Sequence, residues 1–151
     1  MDSELLTQIT NNLFEVLGAS VDEIRVSSGH RTVIAVSSKD SKELIGPRGE
    51  HLRALNVVLR RLVESRAGED AAGFLLDING YHEDQMEQVR QGARMLAQRA
   101  RLFKHDVEMS PMSSYERLVV HELFSEDPDI ETHSEGEGKF RHIVLKYKIT
   151  G

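Results

Sequence analysis

The sequence predicts an α+β protein built from two small domains, residues 1–80 and 81–151. Three observations predict it. Apolar residues switch between helical and strand spacing in the order α-β-β-α-α-β over residues 4–78. A second series follows over residues 83–147: a long helix, a short strand, a capped helix and a strand pair. The 151-residue chain is 39% hydrophobic, enough for packed cores, with no internal repeat and no low-complexity linker.

Each element has its own signal. Leu5, Leu6, Ile9, Leu13, Val16 and Leu17 recur at helical spacing over residues 4–18, and Gly18 stops the helix. Residues 21–26 and 32–36 read as strands around the loop Ser27-Ser28-Gly29-His30. Asp40-Ser41-Lys42-Glu43 has the form of a helix cap and opens a short helix ending at Gly46. Leu52, Leu55, Val58, Leu59, Leu62 and Val63 make one stripe of a longer helix, broken at Gly68-Glu69-Asp70. Residues 74–78 form a third strand closed by Asn79-Gly80. A long helix then runs from about Glu83 to Phe103 on Met86, Val89, Ala93, Leu96, Ala97 and Ala100. Residues 106–109 are a short strand. Ser113 and Glu116 form a capping box for a helix ending near Phe124. Residues 130–133 and 140–147 pair as a hairpin around Gly136-Glu137-Gly138.

Composition narrows the classes. The chain has no Cys, so disulfides and thiolate metal sites are excluded. No basic leader precedes an apolar run, and no apolar stretch approaches the ~20 residues of a membrane helix; a soluble, cytoplasmic protein without membrane insertion is expected. Net charge is −6, and neither half is basic: 9 cations face 12 acids in residues 1–80, and 10 face 13 in 81–151. A polyanion would have to be met by local patches. Arg53, Arg60, Arg61 and Arg66 form one. Arg90 to Lys104, five cations and no acid, is another, either a solvated helix face or a contact surface.

Two motifs carry chemistry. The run Ile45-Gly46-Pro47-Arg48-Gly49-Glu50-His51-Leu52 has the form I-G-x-x-G-x-x-L and falls between two helices. Gripping a phosphodiester calls for unobstructed backbone N–H groups, which glycines permit. The following helix N-terminus adds partial positive charge, and Arg48 and Arg53 add cations. Ile45 and Leu52 are expected to line an apolar groove, with the polar edge of the third strand facing base edges. Pro47 removes one donor, and Glu50 offsets part of the Arg48 charge. In the second motif, Arg117-Leu118-Val119-Val120-His121 sets Arg117 and His121 on one helix face at i and i+4. A guanidinium offers forked donors to phosphate, and an imidazole can hydrogen-bond or stack on a base. The seven His show no H-x-x-x-H spacing, so no metal is expected. No phosphate-binding Walker loop or nucleophile elbow is present, so neither an enzyme nor a cofactor is expected.

The first motif, in its α-β-β-α-α-β setting, resembles a type II KH domain. The second, within Pro111-Met112-Ser113-Ser114-Tyr115-Glu116-Arg117 and followed by Ser134-Glu135-Gly136-Glu137-Gly138 before Arg141, resembles an R-3-H domain; Ser113-Ser114 stands where Asn-Pro is frequent. The two in this order resemble the Jag (KhpB) family of bacterial RNA-binding proteins over roughly residues 3–147. That resemblance implies a KH domain at 1–80 and an R-3-H domain at 81–151, and binding of single-stranded RNA or DNA without catalysis. The role implied is post-transcriptional regulation or RNA chaperoning, with a small KH-only protein as partner. The nucleic-acid contacts implied are Ile45, Gly46, Pro47, Arg48, Gly49, Leu52, Arg53, Arg117, His121 and Arg141. The chain opens directly on the first KH-like helix, so the N-terminal Jag domain is not expected. The rival class is a protein-interaction scaffold with a KH-like fold.

Overall fold

The computed structural model describes residues 2–29, 31–69 and 73–149. The expected hairpin loop and helix break end at His30 and Asp70, which lie outside the described residues. The chain divides into two compact α+β units, Met1–His82 and Glu83–Gly151.

The first unit runs α1 (Ser3–Val16), β1 (Glu23–Ser27), β2 (Thr32–Ser37), α2 (Ser41–Ile45), a 3-10 turn (Pro47–Gly49), α3 (Glu50–Ala67) and β3 (Phe74–Ile78). Its sheet has the order β1-β2-β3. β1 and β2 pair antiparallel, while β2 and β3 pair parallel with Ile34 opposite Leu76 and Val36 opposite Ile78. The register puts those four side chains on one buried face. Leu6, Ile9 and Phe14 of α1 and Leu52, Leu59 and Val63 of α3 close the core over it. The far end of the sheet is tied by Asn79, whose carboxamide donates to Ser38 O (3.0 Å) and accepts from Ser38 N (2.9 Å).

Three expectations need correction here. The α3 stripe is split: Leu52, Leu59 and Val63 are buried, but Val58 and Leu62 remain 46% and 38% exposed. Val16, counted with the apolar face of α1, is 86% exposed at that helix's last turn. These residues border an open apolar groove with Ile9, Leu13 and Arg66. Asp40 sits at the N-cap of α2 but makes no side-chain cap bond. Its carboxylate instead accepts from Ser20 N (2.8 Å), fixing the turn after α1.

The second unit comprises α4 (Tyr81–Phe103), β4 (Val107–Glu108), α5 (Ser114–Leu123), β5 (Ile130–Glu135), a 3-10 turn (Gly138–Phe140) and β6 (His142–Tyr147). α4 opens two residues before the unit's first residue, Glu83. The sheet order is β4-β6-β5, antiparallel throughout. Ala93, Ala97 and Ala100 of α4 present a small-residue stripe that packs with Val120, Phe124, Ile130, Ile143 and Leu145. Ser113 caps α5 as expected: its hydroxyl accepts from Glu116 N (3.2 Å), and Glu116 accepts from Ser113 N (2.7 Å). Phe140, expected in the last strand, belongs to the turn before it, because the strand's pairing starts only at His142 opposite Glu135.

Candidate nucleic-acid interface

The first candidate surface is the turn between α2 and α3. Gly46 (φ +70°) and Gly49 (φ +75°) both hold backbone angles that L side chains rarely adopt. Each is also crowded. A Cβ on Gly46 would lie 2.4 Å from the His51 ring, and one on Gly49 would lie 2.9 Å from the Tyr81 ring. His51 is held there by donating from Nδ1 to Glu43 O (2.6 Å). The glycines are therefore required by the turn's own packing. Their amides are engaged as well, Gly46 N with Lys42 O (3.0 Å) and Gly49 N with Gly46 O (3.2 Å).

What the turn presents outward is Pro47 and Arg48, both exposed, with Arg48 itself left-handed at φ 56°. Arg53 is exposed one turn into α3, and its guanidinium donates to Arg48 O (3.0 Å), which pins the strained residue. Ile45 is half-buried against the first core, and Leu52 is a core residue, so an apolar groove at this turn has only Ile45 to offer from that pair. β3 stands at the sheet edge, where unpaired N–H and C=O groups are ordinarily open. Asn56 of α3 covers the middle of that edge. Its carboxamide accepts from Leu76 N (2.8 Å) and donates to Leu76 O (3.0 Å) and to Leu52 O (3.1 Å). At Leu76 the strand's polar groups are thus already satisfied, contrary to the open edge expected.

The second candidate surface gathers around the start of α5. A cleft of about 740 Å³ is lined by Pro111, Met112, Ser113, Ser114, Glu116 and Arg117 and by Gly138, Lys139 and Arg141; its one carboxylate, Glu116, accepts the cap bond from Ser113 N (2.7 Å). The Arg117 guanidinium donates to Met112 O (2.9 Å) and Ser114 Oγ (3.2 Å), and Arg141 donates to Gly136 O (2.8 Å). Both are held by neutral oxygens, so their charge stays available to an anion. The helix N-terminus adds its own positive end. Lys139 was missed from the sequence, because a lone Lys in a loop has no signal until the turn brings it beside Arg117.

His121 lies one turn further along α5 and faces β5. Alternation along the sheet puts Thr132 and Ser134 on the same face as Leu145 and Ile143, the face toward the core. The His121 ring bonds both, Nδ1 with Thr132 Oγ1 (2.6 Å) and Nε2 with Ser134 Oγ (3.0 Å). Burial, then the charges of Arg117 and His133, hold its pKa below the usual 6.5. His121 is a neutral strut between α5 and β5, and both ring nitrogens are engaged.

The cations of α4 are arranged otherwise. Arg90 pairs with Glu83 (2.8 Å) and Glu87 (3.2 Å), Arg94 with Glu87 (3.3 Å), and Arg101 with Asp127 and Asp129. Hydrogen bonds from Arg90 and Arg94 lower the Glu87 pKa. Burial raises that of Asp127, but the Asp129 and Ile130 amides and Arg101 outweigh it and leave it lowered. The basic stretch read in the sequence is largely neutralised by acids from outside it.

One cluster was invisible in the sequence. The register brings His142 opposite Glu135, and Glu108 lies across β6, with ligand atoms of all three within 4.8 Å of one another. Nδ1 of His142 donates to Phe140 O (3.0 Å), and Nε2 is 3.3 Å from Glu108. The Phe140 carbonyl first, then Glu108 and Glu135, raise the His142 pKa. An imidazole held by the Phe140 carbonyl and flanked by two carboxylates accounts for the cluster.

A Ser-capped helix that sets an Arg at its first turn and a His one turn on, braced by a three-stranded antiparallel sheet, defines the R-3-H class of domain. Residues 85–147 match the family model for the R-3-H domain. Across more of the chain, the similar proteins are named RNA-binding protein KhpB. That of Clostridium symbiosum is 27% identical over 143 residues, 93% of this chain and 64% of that protein. That of Bacillus subtilis is 30% identical over 133 residues, 86% of this chain and 64% of that protein. That of Streptococcus pneumoniae serotype 2 is 24% identical over 112 residues, 74% of this chain and 34% of that protein. The chain is thus similar to these KhpB proteins over most of its length, and its residues 85–147 match an R-3-H domain. It spans 64% of the length of the first two of these relatives. No helix among the described residues is long and apolar enough to cross a membrane.

Proposed function

We propose that the protein binds single-stranded RNA without catalysing a reaction. A KH domain at 1–80 and an R-3-H domain at 81–151 each contribute a surface, and single-stranded DNA is a further ligand of the same kind. The observation that carries the reading is the cleft at the start of α5, where Arg117, Lys139 and Arg141 surround a helix N-terminus. Such a cleft suits one or two phosphates. The Pro47–Arg48 turn supplies a second point of contact through Arg48 and Arg53. The names of the KhpB relatives support RNA as the polymer. The role proposed is post-transcriptional regulation or RNA chaperoning in the cytoplasm, beside a small KH-only partner.

The test is fluorescence anisotropy with a labelled single-stranded RNA, competed with unlabelled single strand or duplex of equal length. Single strand should displace the probe at lower concentration than duplex, since splayed bases are what such surfaces read. Equal displacement would refute the reading. The open apolar groove bordered by Val16, Val58 and Leu62 favours one second reading, a protein-interaction scaffold. Absence of RNA binding, together with a stable complex with the KH-only partner, would select it.

A further inference from the structure

We propose that Phe140 is a stacking platform for one nucleobase of a single strand whose phosphate occupies the neighbouring cleft. The inference rests on the single-strand reading above.

The Phe140 ring is 65% exposed, whereas Phe14, Phe74 and Phe124 are buried. Phe103, also exposed, already stacks on His105 with ring centroids 5.8 Å apart. A lone exposed apolar side chain needs no explanation by itself. Here the backbone beneath it is unusually fixed. Phe140 N donates to Glu137 O (3.1 Å), and Phe140 O accepts from His142 Nδ1 (3.0 Å). Arg141 N donates to Gly138 O (3.1 Å), while Arg141 O accepts from Met112 N (3.1 Å). Gly136 (φ +87°) passes so close that a Cβ there would lie 3.0 Å from Phe140 O. The turn is locked, and the ring is left facing out.

The ring's neighbours in sequence, Lys139 and Arg141, both line the cleft that also holds Arg117. Lys139 Nζ stands 5.3 Å from the ring centroid, a cation–π contact that covers part of the ring and leaves the rest open. A single strand alternates phosphate and base, so a cationic cleft beside a rigid exposed aromatic matches one nucleotide step. Stacking on aromatic side chains is tolerant of base identity because every base has a π-face. The turn's backbone is fixed before binding, so less has to be ordered when a base arrives.

The experiment compares the parent with Phe140→Ala, Phe140→Leu and Phe140→Trp on two labelled strands of equal length, one ordinary RNA and one abasic. The ring makes no core contact, so the variants should keep the parent's melting temperature. Phe140→Ala and Phe140→Leu should bind the base-bearing strand about tenfold more weakly, with the abasic strand and the salt slope unchanged. The chain has no Trp, so Phe140→Trp supplies a single reporter. Its emission should be quenched by the ordinary strand and not by the abasic one. Unchanged binding by Phe140→Ala, equal losses on both strands, or full binding by Phe140→Leu would each overturn the stacking role. A parent that binds neither strand would instead remove the single-strand reading itself.

Discussion

Arg117 and His121 stand one turn apart on α5, yet their surroundings set them different tasks. The Arg117 guanidinium is steered by the Met112 carbonyl and the Ser114 hydroxyl and keeps its full charge at the cleft. Arg117→Ala should lower RNA affinity across unrelated sequences and shallow the plot of log affinity against log salt by roughly one unit, which anisotropy titrations at several salt concentrations would measure. His121 is a different case. Its pKa is lowered in the fold, so below pH 6.5 the unfolded chain takes up a proton that the folded ring resists. The stability it contributes is present above pH 6.5 and is lost as pH falls from there toward its folded value. His142, with a raised pKa, acts in the opposite sense: its contribution is full below 6.5 and fades as pH rises through its folded value. Comparing melting temperatures of the parent and His121→Gln between pH 7.5 and 5.5 isolates the first effect. The parent's advantage should shrink toward acid pH. A parent advantage that grows toward acid would mean a charged His121.

The turn between α2 and α3 was legible in its sequence form, and its physical reason was not. Two glycines at that spacing suggested open backbone, but His51 and Tyr81 fill the space beside them. Tyr81 lies outside the motif, so no pattern within the motif could reveal that contact. Gly49→Ala should destabilise the unit by roughly 1–3 kcal/mol through its left-handed φ alone. Adding Tyr81→Ala should recover only the part due to the ring clash. The exposed pair Pro47→Asp and Arg48→Asp should leave the melt unchanged and weaken RNA binding several-fold, by putting like charge against phosphate. Asn56 gave no signal either, because an Asn at one point of an amphipathic helix reads as a solvated polar residue. Asn56→Ala leaves two backbone groups of Leu76 uncapped on a buried strand and should cost roughly 1–3 kcal/mol in urea unfolding. Other elements were read closely. β3 and the capping box of α5 stand where hydrophobic runs and cap residues put them, since local pattern decides both. The stripe of α3 was read too broadly, because helical periodicity reports which residues share a side and cannot say how much of that side a neighbour covers.

For the whole chain, net charge and motif content pointed in opposite directions, and the ion pairs reconcile them. Arg90, Arg94 and Arg101 are matched by acids. Cations held only by neutral oxygens, such as Arg117, Arg141 and Arg53, mark the candidate contacts. Total charge could be counted from the sequence, but which cations are neutralised depends on distant partners, as with Arg101 and Asp127, twenty-six residues apart. The overall salt dependence of RNA binding should therefore be shallow, about three to five units of slope rather than the ten of a broad basic face. A slope near ten would show that the α4 cations also meet the strand.

The pairing of the α4 cations Arg90, Arg94 and Arg101 has a kinetic meaning as well. A basic face lets a protein linger wherever it lands on a polyanion and travel along it by hopping. A chain with net charge −6 and small cationic islands is repelled in most orientations, so wrong landings end at once. Residence should then be set by the islands alone. On a long homopolymer the bound protein should behave as discrete, independently dissociating units, with no length-dependent slowing of release.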